Sequence, residues 1–461
     1  MKMIQISEQE YEEYKMMQAV IVELTEKIKE LEAKLNKNST NSNKPPSSDG
    51  PRKGRVKNNR IKSGKPQGGQ FGHIGVTKSM SPEPDKIVKL EPQTKCECGG
   101  EIVVQTENFT VRQVTDIEPI SKIVVEYHAH DGKCDQCGKL HKASFPERAD
   151  GTSTYGENIH ALATYFNHYQ LIPVKRTTEI FNDIFDINIS QGTVYSIGVE
   201  AYDNLEETEK QIKQELINSN VVNYDESGMR VAGKNHWLHS AGTESATVYS
   251  IHEKRGREAM DEMGILPFFC GTAIHDHLMS YYKYDQCAHG ECNEHHLRHL
   301  KFLFEDLNCS WAGAMACLLL RIKRHIDLSK TYGSDRLEQT DIEIYENTYR
   351  KILEESYEDV SQAPVEPRRM VNRMIKYEQE TLLFMYDFSV PFTNNLAERD
   401  IRMPKAKQKI SGGFRSGEGA KSFARIRGFI STIKKKGKKV LDGLNAVFEG
   451  NATGFLYPDP L

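Results

Sequence analysis

The apolar positions in the middle of the chain fall in short runs that predict β-strands. Such runs occur at 221–224, 229–231, 235–240 and 246–251, a short helix is expected at about 257–263, and a further run covers 271–275. Short apolar and β-branched runs bounded by Gly, Ser and Asn are typical of strands rather than helices. The pattern therefore predicts three antiparallel strands, a helix and one more strand.

Two of these strands are followed at once by an acid. Asp225 ends the first strand ahead of Ser227-Gly228, which we expect to turn, and Asp276 ends the last one. A third acid, Glu398, falls in the first turn of a helix that we expect Asn394 to cap. A single Asp at a strand end is most often structural, but this order of elements and acids is that of a ribonuclease-H-like sheet.

Three carboxylates raised from two strands and a helix suit a pair of Mg2+ or Mn2+ ions. Such a pair supports phosphoryl transfer, because it activates the nucleophile and stabilises the leaving oxygen. We expect Asp225 to bridge both ions, with Asp276 and Glu398 each completing the shell of one.

Helical periodicity dominates the flanking regions. In residues 1–37 a heptad seam predicts a short coiled coil and self-association, the alternative being an amphipathic helix packed on the protein itself; its positions are Tyr14, Met17, Ile21, Leu24, Ile28, Leu31 and Leu35. The region 151–215 is predicted to be helical. It contains a helix at 175–185, a break at 186–188 and a second helix capped by Ser190. These lengths suit a DNA-binding helix-turn-helix or an ordinary helical hairpin. Further helices at about 300–390 predict an insertion between the second and third acids.

Charge is nearly balanced overall but unevenly distributed. The chain has 61 Lys and Arg against 65 Asp and Glu, yet residues 52–65 carry seven basic residues and no acid. Residues 399–439 carry fourteen basic residues against two acids. Local basic blocks favour contact with a polyanion, although solvated surfaces give the same composition. The candidate phosphate-binding residues are Arg298, Arg399, Arg402, Lys405, Lys407 and Arg415.

The nine cysteines, with no apolar signal segment ahead of them, indicate a reducing compartment and metal ligation rather than disulfides. Two pairs, Cys96/Cys98 and Cys134/Cys137, predict a zinc ribbon with strands between them, the alternative being reduced thiols. The possible substitute zinc ligands are His128, His130 and His141. Cys292 with His295 forms a weaker second zinc candidate. Near that pair, His296 or Arg298 could instead face a phosphate. The longest apolar run, at 311–320, is too short for a bilayer, which takes about 20 residues.

Several longer motifs resemble the transposases of the insertion sequence sixty-six family of bacterial mobile elements. They are NSTNSNKPPSSDG, GGQFGHIG, the Cys pairs, NYDES around Asp225, HDHLMSYY around Asp276, CNEHHLRHLKFL, and TNNLAERDIRMPKAKQKISGGFRS around Glu398. The resemblance implies a DDE recombinase that cuts the ends of its element with water and joins the freed 3'-hydroxyl to target DNA. It places the catalytic acids on Asp225, Asp276 and Glu398, and it implies double-stranded DNA and small accessory proteins of the same element as partners.

The sequence thus predicts an α+β multidomain protein, cytoplasmic and associated with the bacterial nucleoid. We expect a coiled coil at 1–37, a basic linker at 38–85, a zinc domain at 86–150, a helical DNA-binding region at 151–215, a ribonuclease-H-like catalytic domain at 216–440 and a C-terminal tail at 441–461. Two rival functions use the same features: a DNA-binding regulator without catalysis, and a ribonuclease-H-type nuclease that nicks without joining. Strand transfer that depends on Asp225 separates them.

Overall fold

The computed structural model describes residues 15–18, 20–21, 24–25, 27–28, 72, 78–104, 107, 109–117, 120–146, 148–149, 151, 153–360 and 365–458. The chain divides into two compact units, one of Val56–Ile123 and one of Val124–Leu461 with Met1–Arg55, and each is described by itself. In the smaller unit a β-bridge joins Lys95 to Glu101 around the first pair of cysteines. No strand is assigned at 102–104 or at 123–127, so the strands expected there between the cysteine pairs are wrong.

Most of the predicted coiled coil lies outside the described residues, as do Tyr14, Leu31 and Leu35. The seam positions Met17, Ile21, Leu24 and Ile28 are in helical conformation, and more than half of each side chain is exposed. The coiled coil stays a prediction. The linker at 38–85 also lies largely outside the described part of the chain.

The larger unit begins with a small hairpin and a group of helices. Strands β1 (Asp131–Lys133) and β2 (Leu140–Lys142) pair antiparallel. The helices are α1 (Glu157–Thr164), which continues into a π-helical turn (Tyr165–Tyr169), α2 (Val174–Phe185), α3 (Gln191–Asn204) and α4 (Glu206–Ile217). Asp186 ends α2 in the left-handed conformation with φ 50°, and the Ser190 hydroxyl accepts a hydrogen bond of 3.0 Å from the Thr193 amide to cap α3. The helix, break and capped helix expected in this region are confirmed.

A five-stranded mixed sheet forms the centre of the unit. Its elements are β3 (Val221–Val231), β4 (Lys234–Gly242), β5 (Thr247–His252), α5 (Arg257–Met263), β6 (Thr272–His275) and β7 (Ala288–Glu291). The strand order is β5-β4-β3-β6-β7; β3, β4 and β5 pair antiparallel, whereas β3, β6 and β7 pair parallel. The three antiparallel strands, the helix and the following strand are confirmed, and β7 is an additional edge strand.

The first central strand is longer than the sequence suggested. Asp225 pairs with Ser240 in the middle of β3, and the chain turns at Ala232-Gly233, where φ is 48° and 75°. The turn expected at Ser227-Gly228 is therefore wrong. Two consecutive residues with positive φ match the right-handed twist of a tight hairpin, which is why the chain reverses there.

The C-terminal half is helical. Helices α6 (Asn293–Glu305), α7 (Ser310–Thr331), α8 (Gln339–Val360), α9 (Val365–Lys376) and α10 (Glu378–Tyr386) form the expected insertion, and α11 (Asn395–Ser411), α12 (Gly417–Lys435), α13 (Val440–Phe448) and α14 (Ala452–Leu456) follow it. Leu444, Val447 and Leu456 are at most 3% exposed. Within the segment 441–461, which we expected to be a tail, the described helices instead contribute these side chains to the core.

Two hydrophobic clusters lie on opposite faces of the sheet, because successive side chains of a strand alternate in direction. Val222, Tyr224 and Ala273 join the cluster formed with α1 to α4 and α12 to α14. Ile274 joins the cluster formed by the insertion helices. The acid that follows Ile274 by two residues is thus directed to the insertion side of the sheet.

Candidate active site

The three predicted acids come from neighbouring elements. Asp225 lies within β3, Asp276 directly follows β6, and Glu398 lies in the first turn of α11. In the parallel pairing of β3 with β6, Asn223 is opposite Ile274, so Asp225 and Asp276 stand at equivalent positions two residues farther along. Helix α11 packs on β3 and β4 and brings Glu398 toward the same place.

The Asp225 carboxyl is affected by the charges of the other acids. Although Asp225 keeps some solvent access, desolvation raises the pKa of its carboxyl well above the usual value, and the negative charges of Glu226, Asp276 and Glu398 raise it further. The Glu226 amide donates a 2.8 Å hydrogen bond to Asp225 Oδ1 and opposes this shift. The Asp225 carboxyl therefore lies within electrostatic range of Asp276 and Glu398, and we call the region around these three acids the acidic pocket.

Two arginines supply positive charge to this pocket. Arg255 Nη2 lies 2.6 Å from Glu226 Oε1 and 3.9 Å from Asp276 Oδ2, and its guanidinium covers the Trp237 ring at 4.8 Å. Arg298 Nη2 lies 3.7 Å from Glu398 Oε1. Arg298 was predicted to face a phosphate, whereas Arg255 and Glu226 were missed because nothing in the spacing of the charged loop at 253–257 marks Arg255 as a partner of Glu226.

Glu226 occupies the side of β3 opposite to Asp225. Its carboxylate accepts a 2.8 Å hydrogen bond from the Tyr281 hydroxyl as well as those from Arg255. Burial and the Asp276 charge raise the pKa of Glu226 to about 7 against the effect of Arg255. Glu226 therefore adds a buried acid within electrostatic range of Asp276, on the other face of β3 from Asp225.

The residue at the start of α11 does not cap the helix with its side chain. Asn394 Nδ2 instead donates to the Tyr224 carbonyl at 2.7 Å, and Asn394 Oδ1 accepts from Asn223 Nδ2 at 2.8 Å. Its backbone amide donates to Cys292 Sγ at 3.1 Å. The expected side-chain cap is wrong: the amide group is used to attach the helix to the strand that carries Asp225.

Cys292 and His295, the weaker zinc candidate, lie at the N-terminal end of α6, and a zinc ion between them stays a prediction. Cys292 is 2% exposed at the N-terminus of α6, and burial raises the pKa of its thiol to about 12. Desolvation lowers the pKa of His295, and the Asp276 and Glu398 charges oppose that shift. Within the residues that the structure describes, no three His, Cys, Asp or Glu side chains converge closely enough to hold one metal ion as they stand.

A second polar cluster lies under the insertion helices. The Glu291 carboxylate, whose side chain is fully buried, accepts a 2.5 Å hydrogen bond from the Tyr282 hydroxyl and contacts His277 Nδ1. Its other oxygen lies 2.5 Å from His296 Nε2 and 3.3 Å from Arg373 Nη2. Burial alone would raise the pKa of this carboxyl, but His296, His277 and Arg373 together hold it well below its usual value. His296, considered as a phosphate contact, is 0% exposed and faces Glu291 instead.

The basic residues after Glu398 divide into exposed and engaged ones. Arg399, Arg402 and Arg415 are exposed, with Arg399 3.8 Å from Glu244. Lys405 is partly buried and donates to the Gly228 carbonyl at 2.6 Å, and burial lowers the pKa of both Lys405 and Lys407. Of the predicted phosphate-binding residues in this stretch, the three arginines are exposed and the two lysines are partly buried.

Each cysteine pair forms a tight turn within its own unit. The Cys96 amide donates to the Gly100 carbonyl and the Cys134 amide to the Lys139 carbonyl, both at 2.9 Å. Hydrogen bonds from the Gly100 amide and from the Cys137 amide are the main causes that lower the thiol pKa of Cys98 and Cys134 respectively. The zinc ribbon and its substitute ligands His128, His130 and His141 stay predictions.

Comparison with known proteins identifies the larger part of the chain. A family model described as Transposase IS66 family matches residues 152–422, and a family of unknown function, DUF6444, matches residues 2–79. A search of curated proteins finds no match. No helix among the described residues has the length and apolar character needed to cross a bilayer. Because the first match covers more than half of the sequence and contains all three acids of the pocket, the chain belongs to the IS66 transposase family.

Proposed function

We propose that this transposase is a DDE recombinase that cuts the ends of its element with water and joins the 3'-hydroxyl to target DNA. The observation that carries the proposal is the electrostatic coupling of Asp225 to both Asp276 and Glu398, which are 51 and 173 residues away along the chain. The strand order β5-β4-β3-β6-β7, with three antiparallel strands followed by two parallel ones, supports a ribonuclease-H-like core.

The charges of the acidic pocket favour a divalent cation, which would draw together side chains that do not converge on one ion as they stand. Desolvation, and after it the charges of Glu226, Asp276 and Glu398, raise the pKa of Asp225, and a bound cation would stabilise its ionised form. We assign Asp225, Asp276 and Glu398 as the ligands, because carboxylate oxygens suit Mg2+ and Mn2+. Two such ions, when bound, lower the pKa of the attacking water and stabilise the leaving oxygen.

The chain's own residues orient the acids and the DNA. The Leu278 amide donates to Asp276 Oδ1 at 3.0 Å, and the Glu226 amide donates to Asp225 Oδ1, so each carboxylate has one fixed oxygen. Arg298, next to Glu398, provides positive charge for the phosphate that enters the pocket. The exposed Arg399, Arg402 and Arg415 bind the neighbouring phosphates, with Lys405 and Lys407 in a supporting role.

The remaining assignments are proposals of the same kind. We assign binding of double-stranded DNA at the element ends to α2 and α3. We assign a supporting role for that DNA-binding region to a zinc ribbon at Cys96, Cys98, Cys134 and Cys137. Self-association through residues 1–37 rests on the heptad seam, and help from small accessory proteins rests on the family resemblance. A cytoplasmic, nucleoid-associated location rests on the cysteine usage and on the proposed DNA binding. The described part of α3 presents Gln191, Tyr195 and Ser196 to solvent, which is the requirement for groove contact.

Strand transfer with the element's own terminal sequences in Mg2+ tests the proposal. Asp225→Asn keeps the shape of the side chain but removes its charge. We expect cleavage and joining to fall by more than about 100-fold, because about 100-fold is the largest loss typical of a residue that only supports a metal ligand. DNA binding measured without divalent cation should be unchanged. Asp335→Asn, in the exposed loop between α7 and α8, is the matched control and should keep full activity.

The other outcomes identify the rivals. Binding without any cleavage by the unmodified protein would favour a regulator, and nicking without joining would favour a nuclease. Equal products from the unmodified protein and Asp225→Asn would remove Asp225 from the reaction.

A further inference from the structure

The elements that carry the three acids are joined by hydrogen bonds through two buried residues. The Cys292 amide donates to the His275 carbonyl at 3.0 Å, directly before Asp276. Cys292 Sγ accepts from the Asn394 amide, and the Asn394 side chain donates to the Tyr224 carbonyl, directly before Asp225. One continuous path therefore connects the backbone next to both strand acids.

The same path reaches the third acid. The Glu398 amide donates to the Asn394 carbonyl at 3.2 Å, which is the first hydrogen bond of α11. Asn394 thus fixes the first turn of the helix that presents Glu398. Because Asn394 and Cys292 are both 2% exposed, these bonds are shielded from water, and a lost partner would leave a buried polar group unsatisfied.

Packing reinforces the geometry around this path. Asn223 Nδ2 donates to Asn394 Oδ1 at 2.8 Å, which fixes the orientation of the Asn394 amide group so that its nitrogen faces Tyr224. On the other side, the Asn293 amide donates to the Phe392 carbonyl and Asn293 Nδ2 to the Thr381 carbonyl, at 3.1 and 3.0 Å. The start of α6, the end of the insertion and the start of α11 are thereby held as one unit.

We propose that Asn394 and Cys292 are positioning residues that set the separation of Asp225, Asp276 and Glu398 needed for joint cation binding. This inference rests on the proposed function. It gives Cys292 the role of hydrogen-bond acceptor rather than zinc ligand. It also explains why the helix start lacks a side-chain cap: the amide group that would cap α11 is instead committed to β3.

The test compares Asn394→Ala with Asn395→Ala, since the adjacent Asn395 is exposed on the same helix. We expect Asn394→Ala to lower the single-turnover cleavage rate about 100-fold, the loss typical of a displacement of about 1 Å at a reacting centre. The Mg2+ concentration for half-maximal rate should rise about 10-fold, as for other residues that support metal ligands. Asn395→Ala should match the unmodified protein in both.

A second readout does not depend on catalysis. The paramagnetic resonance signal of free Mn2+, recorded at low temperature, measures how much Mn2+ binds to the protein with an end duplex. We expect this Mn2+ affinity to weaken about 10-fold in Asn394→Ala. DNA affinity without divalent cation should be unchanged. If Asn394→Ala does not fold, Asn394→Asp is the substitute, because it keeps the acceptor for Asn223 but loses the donor to the Tyr224 carbonyl.

Cys292 is tested by Cys292→Ser, which keeps an acceptor, and Cys292→Ala, which does not. We expect Cys292→Ser to retain most of the cleavage rate and Cys292→Ala to lose it. The double variant Cys292→Ala/Asn394→Ala should lose less than the product of the two single losses, because both residues act through one path. A lower denaturation midpoint with unchanged Mg2+ and Mn2+ dependence would reduce both residues to a structural role and overturn the proposal. Failure of the proposed function is distinguished by the unmodified protein and Asp225→Asn, run in the same assay: if those two behave alike, the acids themselves are misassigned.

Discussion

Replacement of Glu291 by glutamine tests the cluster that fastens the insertion to the sheet. The carboxylate faces donors on both oxygens: Tyr282 and His277 on one, His296 and Arg373 on the other. A glutamine amide has one oxygen, so its NH2 group would face two of these donors. Removing one partner of a buried charge pair costs about 3–5 kcal/mol, and we expect Glu291→Gln to lose that much stability.

The matched control is Glu305→Gln, on α6, the helix that follows β7. Lys301 Nζ lies 3.8 Å from Glu305 Oε1, and more than half of each side chain is exposed. Exposed pairs four residues apart contribute about 0.3–0.5 kcal/mol, so this control should be nearly neutral. The two variants differ in burial rather than in chemistry.

The assay uses the tryptophan of the insertion. Trp311 is 6% exposed within the hydrophobic cluster of α6 to α10, and Trp237 on β4 is the other tryptophan of the chain. In a Trp237→Phe background, denaturant unfolding followed by Trp311 fluorescence reports on the insertion. A stability loss for Glu291→Gln no larger than that for Glu305→Gln would refute the reasoning.

The pH dependence has a defined sign. The folded-state pKa of Glu291 lies below the unfolded-state value of about 4.3, so its contribution is fully present above that value and is lost as the pH falls through the folded-state pKa. The part of the difference in unfolding free energy between the unmodified protein and Glu291→Gln that comes from ionisation of Glu291 should be fully present at about pH 5 and above. It should shrink below about pH 4.

Two further predictions follow from the ion pairs and basic residues of α11. Asp400 Oδ2 lies 2.7 Å from Lys435 Nζ in a mostly buried pair, so Asp400→Asn should cost about 3 kcal/mol in denaturant unfolding, and a loss below about 1 kcal/mol would place it among exposed pairs. Arg415→Ala should reduce the slope of log DNA affinity against log salt by about one, because Arg415 is exposed. Lys405→Ala should leave that slope nearly unchanged, because Lys405 Nζ is already bound to the Gly228 carbonyl. Equal slopes for both variants would contradict this.

Short-range patterns predicted most of the secondary structure. The strands at β3 to β6 and the helices of the insertion are evident from periodicity, since each buries one face and its apolar residues repeat accordingly. Strand β7 was missed because Ala-His-Gly-Glu has no apolar alternation, and it forms a strand through parallel pairing with β6. The end of β3 was misplaced because Ser227-Gly228 is typical of a turn, whereas its pairing with Leu238 and Trp237 keeps it extended.

The candidate site divides in the same way. The acids and their order were evident in the sequence, because residue type and element type suffice to suggest a metal-dependent reaction. The partners were not: Asn394 has the sequence of a helix cap, but a helix start packed on a strand can satisfy its amide group in the neighbouring backbone instead. Arg255 and Glu226 are likewise paired across 29 residues by the return of the loop after β5.

The sequence by itself determined most of the strands and helices, which acids are available, and that the chain resembles a transposase family. Those properties depend on local periodicity and on residues whose chemistry is independent of their neighbours. Only the tertiary structure decided that Asp225 lies within a strand, that Glu291 is buried among donors, and that Cys292 and Asn394 connect the three acid-bearing elements. Such contacts join residues far apart in the chain, and their energies depend on burial and distance, which no local pattern encodes.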